Sequence, residues 1–279
     1  PVCTANPQQS MDLHQAIAIG SPKAIDLWLD LVEDPRTRSE QLTDLTRAEV
    51  VRLSELMPVD VAAEVSDTLD LHVVVDAIRI FPRQRAADLL AALESDRAAE
   101  ILRELTPTER ESILSLVSGE QAALLRTLLD WPDESVAAHM VPEVLTVSDQ
   151  VSAAEAIEQV RNHRAKLRQD SHIGAYVFAV DAANRLVGVV SFRELVLADA
   201  DRPVTELVEE DVITVGPLVD QEEAARTLTK HRLLAIPVVD EDNHLLGVLT
   251  ADDASDVAQE EATEDAERQG GSEPLEVPY

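Results

Sequence analysis

The stretch LVGVVSFREL, residues 186–195, returns in altered form as LLGVLTADDA, residues 245–254, with Gly188 and Gly247 59 positions apart. An internal repeat constrains a fold strongly, because both copies take one conformation and each needs a partner for its apolar face. The two copies share a pattern. An extended lead-in (144–147; 212–215) precedes an amphipathic helix (153–160; 221–229). Two apolar strands follow (176–180 with 186–190; 236–239 with 245–249). The turns between them, DAANR and DEDNH, are rich in Asp and Asn, residues that bond their own backbone and tolerate left-handed turns. A final helix opens at Ser191 or Thr250, each followed three residues on by an acid, Glu194 or Asp253. One βαββα unit cannot close its own core; two copies packed sheet to sheet can.

Ahead of the repeat, from about Leu13 to Asp130, the pattern is a string of short helices. LTRAEVVRLSELM places Val50, Leu53, Leu56 and Met57 at helical spacing, and Pro58 then interrupts. In SDRAAEILREL, Ser95 reads as the capping residue. TPTERESILSLV opens with Thr106, Pro107 and Glu109: a cap, a proline at the first helical position and an acid at the third. Tandem helices of about ten residues predict a superhelix in which each unit buries its face on its neighbours. Trp131-Pro132 marks the boundary between the two patterns.

The chain has 279 residues, enough for two cores, and only 3% are aromatic, so Ala, Leu and Val do the packing. Its 54 acids against 23 Lys and Arg give a net charge of −31. Such a surface repels nucleic acid and anionic lipid, and favours cations or a basic partner. A solvated acidic surface of the salt-adapted kind is the plainer alternative. The lone Cys3 excludes an internal disulfide framework. No apolar run approaches the roughly 20 residues of a membrane span, and the start lacks a signal-peptide pattern, which predicts a soluble stretch of chain. No nucleophile elbow, metal-hydrolase motif or glycine-rich phosphate loop is present, so an enzyme is not expected.

The acids concentrate late. Residues 201–267 hold 19 acids and 4 bases. Asp253, Asp256, Glu260, Glu264 and Glu267 recur at three- and four-residue intervals, an acidic stripe that Glu261 and Asp265 broaden. Magnesium suits such a wall: it is hard, prefers oxygen, and keeps several waters beside one or two carboxylates. His231 and His244 are isolated and lack zinc spacing.

GVVSFREL and GVLTADDA resemble the Gly-apolar-apolar-Ser/Thr-x-x-Asp/Glu ending of the CBS domain, and AIPVVDEDNHLLGVLT resembles its second-strand region. With the helical block before the pair, MVPEVLTV at the junction and EATEDAERQGGSEPL after it, nearly the whole chain resembles the cytosolic region of the MgtE family of magnesium transporters. The resemblance implies an α+β multidomain fold. Residues 1–12 would be a flexible N-terminus and 13–130 an all-α superhelical N domain. Residues 131–200 and 201–258 would be the two CBS domains, and 259–279 an acidic connecting, or plug, helix and tail. It implies a piece of a longer chain on the cytoplasmic side of the plasma membrane. Its partners would be the transmembrane channel domain of the same full-length chain and a second copy, as a homodimer through the CBS domains, with no nucleic acid.

By the same resemblance, Mg²⁺ bridges acidic faces to hold a closed state. Glu64, Asp96 and Glu100 match ligand positions of the helical block, the last where the family has Asp. Asp220, Glu222 and Asp253 match ligands of the CBS side, with Asp256 facing the same region. Glu261, Glu264 and Asp265 match acids of the plug helix. Two departures stand out. Arg232 replaces an Asp ligand, and a fixed cation there would substitute for an ion. Ala138 replaces a Gly whose carbonyl takes part. Tyr176, Arg193 and Glu194 fall where relatives place an adenine nucleotide such as ATP; ordinary CBS core and capping is the competing reading. The alternative function is a CBS module that senses adenine nucleotides without specific magnesium sensing.

Overall fold

The computed structural model describes residues 11–163, 176–251 and 254. The chain divides into two compact units, 1–129 and 130–279, each taken by itself below.

The first unit is all helical. Its elements are α1 (Leu13–Ile19), α2 (Pro22–Leu31), α3 (Pro35–Thr43), α4 (Arg47–Leu56) and α5 (Val59–Asp67). They continue with α6 (Leu71–Ile80), α7 (Arg83–Ala92), α8 (Ser95–Arg103), α9 (Pro107–Leu114) and α10 (Gly119–Leu129). Short polar turns start the helices. Asp12 and Asp34 accept from the N–H groups of Gln15 and Thr37. Thr46 with Glu49, and Thr106 with Glu109, close reciprocal capping boxes at α4 and α9. Beyond α3, helices pack on their second neighbours: α4 on α6, α6 on α8 and α8 on α10 in one row, α5 on α7 and α7 on α9 in the other. That alternation makes the superhelix, since each helix covers a face its sequence neighbour cannot reach. Val50, Leu53, Leu56 and Met57 are buried, as their spacing predicts.

The expectation that Ser95 caps α8 is corrected. Glu94 takes the extended N-cap conformation and Ser95 is the first helical residue. Ser95, Ala98, Ala99 and Leu102 are all buried, one face at helical spacing, so packing draws the serine into the helix and moves its start back by one residue.

The second unit opens with a short turn of helix, α11 (Val136–His139). The first copy of the repeat is β1 (Thr146–Ser148), α12 (Ala153–His163), β2 (Tyr176–Val180), β3 (Leu186–Ser191) and α13 (Phe192–Leu197). β1 runs parallel to β2, and β2 antiparallel to β3. The second copy is α14 (Gln221–His231) with the hairpin β4 (Ala235–Val239) and β5 (Leu245–Thr250).

The second lead-in was expected to match the first but makes no strand. Only Val215 bridges Val238, through Val215 N–H to Pro237 O and Val239 N–H to Val215 O. The cause is one residue. Phe178 donates its N–H to Leu145 O at 2.8 Å and so extends the ladder. Its counterpart 59 positions later is Pro237, which has no N–H to donate.

Each copy completes the other. Val141, ahead of the first copy, exchanges both backbone hydrogen bonds with Val248 on β5 (2.8 and 2.9 Å). Glu209, ahead of the second, does the same with Val189 on β3 (3.0 and 2.9 Å). The repeated glycines lie under these crossings. A Cβ on Gly188 would sit 2.4 Å from Glu209 O, and one on Gly247 would sit 2.7 Å from Val141 O. The glycine of the motif is therefore a clearance device for a foreign strand. Phe178, Val180 and Leu186 share a core with Val239, Leu245 and Val248 of the other copy.

Candidate functional site

Three of the acids marked in the sequence lie on the helical unit. Glu64 is exposed on α5. Asp96 and Glu100 stand one turn apart on α8, with Arg97 between them. Arg97 Nη1 lies 2.5 Å from Glu100 Oε2, a half-buried pair. Its Nη2 donates to the carbonyls of Leu69 (2.9 Å) and Ser66 (3.5 Å). Arg97 thus ties the acid pair of α8 to the end of the helix that carries Glu64.

Two more acids lie at the start of α14. Asp220 is its N-cap, and Oδ1 accepts from the N–H of Glu222 at 2.9 Å. Carboxylates are favoured there by the unpaired N–H groups and the positive end of the helix. Glu222 is ion-paired with Arg226 one turn on. Asp96 with Glu100, and Asp220 with Glu222, each supply the one or two carboxylates that hydrated magnesium uses. In both pairs one member is held by an arginine, which an ion would have to displace. Among the described residues, no three His, Cys, Asp or Glu side chains gather closely enough to hold a metal ion. Asp253, Asp256, Glu261, Glu264 and Asp265 lie outside the described residues.

The two departures take defined places. Arg232 is exposed at the C-cap of α14 with φ +54°, a left-handed conformation. Ala138 is buried in α11 without a positive φ, so its Cβ meets no backbone penalty.

The nucleotide candidates separate. Tyr176 lines a cleft of about 250 Å³ between the two copies, together with Phe178, Leu233 and Pro237. Arg193 and Glu194 are exposed on α13 and are not among its lining residues. Glu194 closes a capping box: its Oε2 accepts from Ser191 Oγ at 2.9 Å, and Ser191 Oγ accepts from its N–H at 3.1 Å. Glu209, Asp211 and His231 also line the cleft. Sequence reasoning missed them because the segment carrying both acids reaches β3 only through the crossing at Glu209. His244 pairs within its own turn, Nδ1 to Asp240 Oδ2 at 2.9 Å. That imidazole contact, ahead of backbone donation from His244 itself, holds the Asp240 carboxyl below the usual range.

An all-helical superhelix followed in the chain by two mutually completing copies of a helix-and-hairpin repeat, the first with an added lead strand, defines a class: a CBS pair preceded by a helical domain. Family models agree with that division. The MgtE intracellular N domain matches residues 33–134. The CBS domain matches 135–201 and again 204–260. The chain belongs to the MgtE family, with the domain composition of its cytosolic region. The magnesium transporter MgtE of Enterococcus faecalis is 36% identical over 159 residues, which is 57% of this chain and 34% of that protein. MgtE of Thermus thermophilus is 29% identical over 261 residues, 84% of this chain and 57% of that protein. A crystal structure of the cytosolic domain of the Mg²⁺ channel MgtE in complex with ATP superposes with a TM-score of 0.76 at 26% identity. It covers 88% of this chain and 98% of that one. The chain thus spans between a third and just over half the length of these curated relatives. Among the described residues, no helix is long and apolar enough to cross a membrane.

Proposed function

We propose that this chain is the magnesium-sensing regulatory region of an MgtE-type magnesium channel or transporter. In that reading it stands on the cytoplasmic side of the plasma membrane, works as a homodimer through its CBS domains, and controls a transmembrane domain of the same full-length chain. Mg²⁺ binds carboxylates from separate segments, Glu64, Asp96 and Glu100, then Asp220 and Glu222, then Asp253, Asp256, Glu261, Glu264 and Asp265, and so favours the closed state. The physics is simple. Two carboxylates 6–8 Å apart repel by roughly 2–3 kcal/mol at an effective dielectric of 20. A divalent ion between them reverses the sign, and several such ions shift a two-state population steeply.

The observation that carries the reading is the pairing of acids on two helices, Asp96 with Glu100 one turn apart on α8 and Asp220 with Glu222 at the start of α14, in a chain of the MgtE family with net charge −31. Its test is scattering and limited proteolysis of the chain in millimolar Mg²⁺ and in EDTA. Compaction and protection in Mg²⁺ are expected; identical profiles overturn it.

A second reading rests on the cleft at Tyr176 and on the relative solved with ATP. Its lining carries Glu209 and Asp211 and no Lys or Arg, so a triphosphate needs Mg²⁺ or Arg193 to offset its charge. Calorimetry with ATP and AMP in magnesium-free buffer tests it. Saturable binding without Mg²⁺ supports adenine-nucleotide sensing as an independent function, and no heat with either ligand, there or after Mg²⁺ is added, removes it.

A further inference from the structure

The helical unit encloses a second, larger space. Among α4, α5 and α6, with the end of α3 and the start of α7, lies a cavity of about 400 Å³. Its wall is apolar: Leu53, Met57, Val65, Leu69 and Val73 all face it. These side chains keep 5–8% of their exposure, whereas Ile78, Leu90, Ile101 and Leu102 in the same unit keep none. Solvent therefore reaches an apolar wall that the chain does not fill. The volume lies within the range of small-molecule sites, about 300–1,000 Å³. An apolar void of this kind favours an apolar occupant over water.

The polar part of the lining is specific. Arg79, Arg85, His72 and Asp76 contribute to it. Arg79 is answered by Asp76 at 3.0 Å and also donates to Glu104 O. Arg85 donates to Met57 O, a neutral acceptor, and keeps its full positive charge at the lining. Two arginines against one aspartate leave this lining positive, on a chain whose net charge is −31. At physiological salt, charges farther away than about 8 Å are largely screened, so the local sign decides.

We propose that this cavity binds a single-chain amphiphile with an apolar tail and an anionic head, a medium-chain carboxylate. The tail lies along Leu53, Val65, Leu69 and Val73, and the head meets Arg85. The site is separate from the acids of the magnesium reading and does not depend on it.

The test uses the whole chain with sodium decanoate and 1-decanol as probes, below their aggregation limits. Calorimetry should show saturable one-to-one binding of decanoate, at least threefold tighter than decanol. Methyl NMR on the parent chain should place the decanoate shifts at Leu53, Val65, Leu69 and Val73. Arg85→Gln should weaken decanoate several-fold and leave decanol unchanged. Val65→Phe or Leu53→Trp fills the space and should reduce binding of both probes at least tenfold. The inference falls if decanoate does not saturate, if its methyl shifts lie elsewhere, or if a folded filling variant binds as the parent does. Equal affinity for decanoate and decanol would remove the anionic head from it.

Discussion

Asn184 and Asn243 stand at the same place in the two hairpin turns and reach across to each other's strands. Asn184 Nδ2 donates to Leu245 O at 3.1 Å, and Asn243 Nδ2 donates to Leu186 O at 2.7 Å. The backbones repeat the exchange: Leu245 N–H donates to Asn184 O, and Leu186 N–H to Asn243 O. Both asparagines have positive φ, 63° and 66°. One residue type thus serves twice at each site, tolerating the left-handed turn and carrying a hydrogen bond between the copies.

Removing that bond separates the two roles. Asn243→Gly keeps the turn and loses the amide, and should destabilise the second unit by about 1 kcal/mol. Asn243→Ala loses the amide and also meets the left-handed penalty, adding roughly 1 kcal/mol more. Urea unfolding of both variants checks the order. Equal losses would mean that the turn geometry carries no strain.

The crossings over the repeated glycines lead to a second expectation. Alanine at 188 places a Cβ 2.2 Å from Val208 Cγ1 and 2.4 Å from a backbone oxygen, and the backbone cannot give way cheaply. Gly188→Ala should cost about 3 kcal/mol or more, beyond ordinary overpacking. Alanine at 247 meets Val141 O at 2.7 Å and the flexible Met140 side chain, so Gly247→Ala should cost less, roughly 1–3 kcal/mol. Thermal unfolding should rank 188 above 247.

In the helical unit, Glu49 is coupled to pH. Its carboxyl is held at about 2, first by the Thr46 hydroxyl and then by His14, whose Nδ1 lies 2.8 Å away. His14 is raised above 6.5, chiefly by the same contact. The signs differ. The Glu49 contribution is present above its unfolded value of 4.5 and is lost as pH falls through about 2. The His14 contribution is complete below 6.5 and is lost as pH rises through its higher folded value. NMR titration should show that His14→Ala raises the Glu49 pKa while Thr46 still holds it below 4.5. An unchanged Glu49 would deny the coupling.

The repeat made much of the second unit legible, because a period of 59 aligned strands, turns, caps and glycines without any structure. It did not show that each lead-in would cross to the other copy, since a bridge such as Val141 to Val248 depends on tertiary packing and leaves no local pattern. Pro237 carried a readable warning that the second lead-in would lack its ladder, visible only once its counterpart Phe178 was known to donate. Ser95 misled because capping preference and core packing competed, and packing prevailed. The acids are hardest to read. Exposed carboxylates obey no hydrophobic period, so geometry alone revealed that Glu100 and Glu222 are held by Arg97 and Arg226, and that Glu209 and Asp211 face a cleft.

That arginine engagement yields the sharpest test of the magnesium reading. Asp220→Asn with Glu222→Gln removes both donors at the start of α14, so the Mg²⁺ concentration that half-protects the chain from chymotrypsin should rise several-fold. Arg226→Gln should move it the opposite way, because Arg226 occupies the Glu222 carboxylate that the ion needs. An exposed pair of this kind is worth about 0.2–1 kcal/mol, so the midpoint should fall by roughly 1.5- to 5-fold. His244→Ala should leave it in place, since His244 pairs only within its own turn with Asp240 among the contacts described. A general loss of negative charge predicts a different pattern. Arg226→Gln makes the chain more acidic, and a nonspecific counter-ion effect would sharpen equally if a distant arginine such as Arg161 were replaced. A midpoint that moves alike for Arg226→Gln and Arg161→Gln would therefore point to bulk screening, whereas a shift confined to Arg226 ties the response to the carboxylates at this helix start.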